Sequence, residues 1–265
     1  MSRAFCFNLA RLFVSKGMLK FRQISRIVGG LSLAFLVGCH SIYMPNAPAT
    51  PMLREAGEVY VGGHFNAQGN ISGNLALALT DNVGLVANAS TVNTGANNND
   101  YFRQWLAEGG IGYFTRIGKD QRQVFEVYMG YGIGNTKDFK QRASVMGYEL
   151  VEAREMDFDK IFVQFNYSST RKKKINIFGD RKELNYGTAI RLSRVGMQKF
   201  AVDGVSVTGE ENFFIEPLFF TRMQLVNGLQ LQYTNGFNIG LNKNEYLKAG
   251  NSVFTLGLVY TFGKK

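Results

Sequence analysis

From Gly57 to the end of the chain, apolar side chains recur at every second position, and that period leaves little choice of fold. In residues 122–134, Phe125, Val127, Met129, Tyr131 and Ile133 share one face. Glu126, Tyr128, Gly130, Gly132 and Gly134 share the other. A helix would scatter both sets around its axis, whereas a strand separates them cleanly. Residues 103–117 repeat the pattern, with Trp105, Ala107, Ile111, Tyr113 and Ile117 opposite Glu108, Gly110, Gly112 and Arg116. In 212–225, Phe213, Ile215, Phe219 and Met223 oppose Glu216, Arg222 and Gln224. In 252–263, Phe254, Leu256, Leu258, Tyr260 and Phe262 oppose Val253, Thr255, Gly257 and Thr261.

Ten strands are expected, near 58–66, 70–80, 83–91, 103–117, 122–134, 159–169, 183–194, 212–225, 228–235 and 252–263. The fold class that follows is all-β, an antiparallel up-and-down barrel of about ten strands, with eight or twelve as alternatives. Pro217 removes a ladder donor inside the eighth strand, so a bulge is expected there. Residues 143–156 read either as a short helix or as the start of strand six.

The period does not say which face points outward. Lys119, Lys137, Lys140, Lys172, Lys173, Lys174, Lys199, Lys243 and Lys248 all fall in expected turns or loops. Charges inside strands are few and share the small-residue face. That suits a transmembrane barrel with apolar side chains toward lipid and polar ones in the lumen. The alternative is a soluble, lipid-tethered barrel whose apolar face lines a pocket for a hydrophobic ligand.

Loop lengths favour the membrane reading. Connections at Asp81-Asn82, Gly118 to Gln121 and Val226-Asn227-Gly228 are tight, while 92–102, 135–158, 195–211 and 236–251 are long. Short periplasmic turns alternating with long outer loops produce this parity. Two connections break it: 67–69 is short where long is expected, and 170–182 is long where short is expected.

The N-terminal part differs in kind. Lys20, Arg22 and Arg26 precede an apolar run, Ile27 to Gly38, that is too short to span a bilayer. Leu36-Val37-Gly38-Cys39 looks like the lipobox of bacterial lipoproteins, which implies cleavage before Cys39 and acylation of its thiol and new amine. The organisation expected is 1–38 signal peptide (true start at Met18 as a variant), 39–56 lipidated Cys and extended tether, and 57–265 barrel. Pro45, Pro48 and Pro51 mark the tether.

Charge is read after removing the signal. Six of the 30 basic residues and none of the 20 acidic ones precede Cys39, leaving 24 against 20, a net charge of +4. That is too mild to argue for nucleic acid. Cys39 would be the sole cysteine once Cys6 is removed, so neither a disulfide framework nor a Cys-based metal site is expected.

The lipobox, the Pro-rich tether, the alternating strands and the Phe-ended last strand together resemble outer-membrane β-barrel lipoproteins of Bacteroidota-type bacteria. The resemblance covers 39 to 265. It implies an acyl group in outer-membrane lipid and dealings with the lipoprotein-sorting machinery. It also implies that Phe254, Leu256, Leu258, Tyr260 and Phe262 form the signal read by the barrel-insertion machinery. Both termini are expected on the periplasmic side, in the outer membrane of a Gram-negative bacterium.

Chemistry is sparse. Gly130-x-Gly132-x-Gly134 lies inside a strand with no helix after it, so tight interior packing is expected in place of a phosphate loop. His64 lies with Tyr60 and Asn66 on one face, and neither a nucleophile nor an acid is nominated beside it. No metal-ligand spacing occurs. The expected interior polar network is Glu108, Arg116, Glu126, Arg191, Glu216, Arg222 and His64, forming a paired plug or else lining a narrow, porin-like ion path. A non-enzymatic, cofactor-free protein with a structural role, or one that binds through its loops, is the expectation. The ligand is not specified by the sequence. The Arg171–Lys174 run is expected to touch anionic lipid or a periplasmic partner, or to be a solvated turn.

Overall fold

In the computed structural model the described residues are 41–66, 69–94, 100–144, 147–171, 174–177, 180–249 and 252–263. The signal region, Cys39 and His40 lie outside them. Ten long strands close into an antiparallel barrel. In chain order they are β1 (Val59–Phe65), β2 (Asn70–Ala78), β3 (Val83–Thr94), β4 (Asp100–Ile117), β5 (Gln123–Ser144), β6 (Gly147–Thr170), β9 (Leu184–Val202), β11 (Glu211–Val226), β12 (Leu229–Phe237) and β14 (Ser252–Phe262). Each pairs with the next, and β14 pairs with β1 from Phe262↔Val59 to Leu256↔Phe65, so the sheet has no open edge through the barrel wall. Four short pieces complete the set. The segments β7 (Ile175–Ile177) and β8 (Asp180–Lys182) form a separate hairpin, while β10 (Val205–Ser206) and β13 (Ile239–Gly240) extend the ladders of β9 and β11.

The alternation orients the wall as the membrane reading requires. Ile111, Met129, Ile133, Phe219, Phe254 and Leu258 stand exposed on the outside, Met129 at 62%. Their strand neighbours Glu126, Tyr128, Glu216 and Val259 are buried inside. A band of large apolar side chains around the whole wall is untenable in water and ordinary in lipid. The soluble alternative, with the apolar face inward, is therefore reversed by the structure.

The wall is uneven, because β5 and β6 have 22 and 24 residues. The stretch 135–158 expected as a loop is mostly ladder, running from Asn135↔Asp157 to Ser144↔Gly147. The described residues of 143–156 hence continue the strands and form no helix. Much of 195–211 is ladder too. Asp203 and Gly204, both at positive φ, make the two-residue turn that matches strand twist and joins β9 to β10. The parity exceptions are real features of a ten-strand barrel and do not reflect a miscount. A short link of residues 66–69 joins β1 to β2, and the β7–β8 hairpin occupies the sixth connection.

The bulge expected at Pro217 is absent. Pro217 pairs in register with Ile190 on β9, and the pairing of β11 with β12 and then β13 keeps one register across it. The ladder on the β12/β13 side is simply interrupted between Leu218↔Gly236 and Ile215↔Ile239. A missing donor costs one rung, and the unbroken β9 side holds the strand straight.

Candidate functional site

The lumen is filled by the chain's own residues 41–56. This segment was expected to be a tether outside the barrel. Instead, Ser41, Ile42, Tyr43, Ala47, Ala49 and Leu53 are almost completely buried among side chains of the wall. It carries no helix or strand, and its prolines recur every third residue, at 45, 48 and 51. A chain of that kind makes no internal hydrogen bonds. Buried backbone groups still need partners, so the wall must supply them.

It does so with amide side chains. The Met44 N–H donates to Gln104 Oε1 at 2.9 Å, and Gln104 Nε2 donates to the Met44 carbonyl at 2.6 Å. Asn74 donates to the Ala47 carbonyl, and the Ala49 N–H donates to Asn88. Gln164 donates to the Ala49 carbonyl at 2.7 Å, the Leu53 N–H donates to Glu126, and Arg222 donates to the Thr50 carbonyl. These partners come from β2, β3, β4, β5, β6 and β11, so six of the ten barrel strands grip the segment.

The order of contacts fixes its direction. Ser41 Oγ donates to the Lys248 carbonyl in the long 241–249 connection. The Ala56 N–H donates to Asp81 and the Gly57 N–H to the Ala78 carbonyl, both at the tight β2–β3 turn. The segment thus runs from the long-loop mouth to the short-turn mouth. Gly57, at φ 81°, then starts the reversal into β1. Gly263, just after β14, packs beside Gly57. Ser41 and Gly263 therefore lie at opposite mouths, while the termini expected on one side fall outside the described residues.

The expected polar residues fall into two groups around this segment. Near the long-loop mouth, Lys160 Nζ lies 3.1 Å from Glu108 and 3.1 Å from Glu216, and Arg191 lies 2.9 Å from Glu108. Two cations face two carboxylates, so the buried cluster is neutral. The segment completes it. Tyr43 OH donates to Glu216 at 3.0 Å and accepts from Lys160 at 2.8 Å, and Asn46 donates to Glu108 at 2.9 Å. Deeper in, Glu126 accepts from Leu53, Tyr128 and Asn166. Arg222 donates to Gln232 and Thr50, and its guanidinium lies 5.0 Å from the Tyr60 ring.

His64 is buried and packs over Gly257, its direct partner across β1 and β14. Neither a carboxylate nor a hydroxyl is bonded to its ring among the described residues. Arg116 has the lumen parity but sits at the rim, where it is exposed, and joins neither group. Its strand has left the lumen by that point.

No protein-family model matches the chain, and no curated protein matches it. Some solved structures are similar to it at low identity. The translocator domain of autotransporter NalP from Neisseria meningitidis is similar at 13% identity and TM-score 0.38, covering 90% of this chain and 95% of that one. NanC porin is similar at 10% identity and TM-score 0.24, covering 76% and 98%. The pyoverdine outer membrane receptor FpvA from Pseudomonas aeruginosa PAO1 is similar at 11% identity and TM-score 0.22, covering 80% and 45%. These likenesses concern architecture alone.

The glycine motif proves to be a packing device. Gly130 is paired with Phe162 and Gly134 with Phe158, and each ring folds over its glycine. A Cβ on Gly130 would meet Phe162 Cζ at 2.6 Å.

Sequence reading missed Lys160 and the amide residues. Lys160 shares parity with Gln164 and Asn166 and opposes Ile161 and Phe165, and that alternation was the available signal. At the short-turn mouth, a cavity of about 690 Å³ is lined by Lys119, Arg122, Ser169, Thr170, Arg171 and Tyr186, away from the ion cluster.

Proposed function

We propose that this protein is a lipoprotein of the outer membrane of a Gram-negative bacterium, non-enzymatic, whose barrel is kept shut by its own N-terminal segment. Its activity belongs to the long-loop face. The observation that carries this reading is the residue-by-residue packing of 41–53 against the lumen wall, which leaves the polar groups engaged with the segment and not with water. A barrel of eight strands is already filled by side chains, and ten with a threaded segment leave no continuous bore.

The long-loop side offers contact surface. The β5–β6 hairpin rises beyond the other strands, and Leu150, Val151, Val205, Val207 and Leu241 are exposed there. Scaffolding or binding through these loops fits better than solute passage. Lipidation at Cys39 rests on the lipobox, and insertion through Phe254 to Phe262 rests on the outward row of β14. The working partners are then membrane lipid and the insertion and sorting machineries, with no cofactor required.

Conductance tests the reading. Full-length protein reconstituted in a planar bilayer is expected to give no steady current across a range of voltages. A stable open-channel current from the full chain would restore the narrow-pore alternative.

A further inference from the structure

We infer that the acylation site, Cys39, emerges at the long-loop mouth, so that the barrel holds its own lipid on the outer face of the membrane. This rests on the lipoprotein reading above and adds the side on which the lipid lies.

Ser41 is the first described residue of the threaded segment, and it is already at the long-loop mouth. Its hydroxyl is bonded to Lys248, and Ile42 and Tyr43 pack with Phe158, Phe200, Phe214 and Leu247. Cys39 lies two positions before Ser41, a reach of at most about 7 Å. The other mouth lies beyond fifteen residues of threaded chain, about 50 Å when extended. A hydrocarbon core is about 30 Å thick. No conformation of two residues returns across it, and the lumen is occupied. A lipid in the leaflet beside the short turns is therefore incompatible with the threaded segment.

The mouth is built as a fixed collar around the emerging chain. The Glu210 carboxylate accepts three successive backbone N–H groups, from Glu245 (2.7 Å), Tyr246 (2.9 Å) and Leu247 (2.7 Å). Asn212 donates to the Leu247 carbonyl at 2.7 Å and to the Asn242 carbonyl at 3.2 Å. The 241–249 connection is thereby tied to the wall, with Leu247 pressed inward against the segment. An anchor on the far side of the bilayer would need this end of the segment to come free. The contacts show it clamped.

The test places a short epitope between His40 and Ser41 in the full chain with its own signal, and a second copy after Gly263 as the inner-side control. Antibody binding is read on intact cells and on permeabilised ones, and the Cys39 peptide is analysed by mass spectrometry. Resistance of the barrel to unheated detergent verifies folding. The expected result is an acylated Cys39 peptide with the first epitope bound on intact cells and the second bound only after permeabilisation. An acylated peptide with the first epitope hidden on intact cells overturns the inference and leaves the lipoprotein reading standing. A surface-bound epitope without acylation also overturns it, and removes the lipoprotein reading while leaving the threading in place.

Discussion

Gln104 and Met44 form a closed pair of hydrogen bonds across sixty residues of sequence, the side-chain amide of one meeting both backbone groups of the other. A strand ladder would have made the same two bonds. The wall thus gives a Pro-containing segment the backbone pairing that its own geometry denies it. Gln104→Leu would leave a buried N–H and a buried carbonyl unpaired, at about 1–3 kcal/mol each. The expected outcome is a lower unfolding midpoint in detergent and faster protease cleavage within 41–53. An unchanged midpoint and cleavage rate would show that the pair does not hold the segment.

The ion cluster should behave as one coupled unit. Arg191→Met leaves Glu108 and Glu216 sharing one cation, Lys160, and breaking a buried pair in this way costs about 3–5 kcal/mol. Adding Glu108→Gln should recover part of the loss. Unfolding free energies for both single variants and the double variant give the coupling, and strictly additive losses would deny it.

Gly130→Ala tests the fold of an aromatic ring over a glycine. The new methyl meets Phe162 Cζ at 2.6 Å and must push ring or strand aside. Overpacking of this kind costs about 1–3 kcal/mol, and thermal melting of the reconstituted barrel should register it. Pairing the change with Phe162→Leu should relieve only part of it, because the Gly109 carbonyl oxygen and the Gly110 Cα on β4 also crowd the new methyl.

The outer face is tested by charge. Met129 is 62% exposed on the wall. At mid-bilayer depth, Met129→Arg should cost about 2–4 kcal/mol of folding into lipid. Folding yield into vesicles is the measurement, and an undiminished yield would place this face outside the hydrocarbon.

Acid should loosen the projecting hairpin. Partial burial alone would raise the Glu152 carboxyl, but the Arg154 guanidinium and the Lys140 ammonium outweigh it and hold it below the ordinary carboxylate range. A lowered folded value contributes stability above the unfolded value of about 4.3 and loses it as pH falls through the folded one. Proteolysis at the tip of the β5–β6 hairpin should therefore rise on acidification, and Glu152→Gln should flatten that dependence.

Strand positions, lipid-facing rows and most of the charged lumen residues were legible in the sequence, because a strand's period of two writes its burial directly into residue order. Glu108, Glu126, Glu216 and Arg222 could be placed inside from their neighbours alone. Arg116 could not, since parity assigns a face but not the height at which a strand clears the lumen. Lys160 was hidden by an expected strand that began only one residue before it. The path of residues 41–56 was not legible at all. A Pro-rich stretch has no periodicity, and its partners, from Asn74 to Arg222, are scattered over six strands that meet only when the barrel closes. Local patterning by itself determined the wall of this protein and the two faces of its strands, and the closed structure settled which face points outward. Closure alone decided what fills the lumen, because an extended backbone without internal hydrogen bonds takes its conformation from whatever surrounds it.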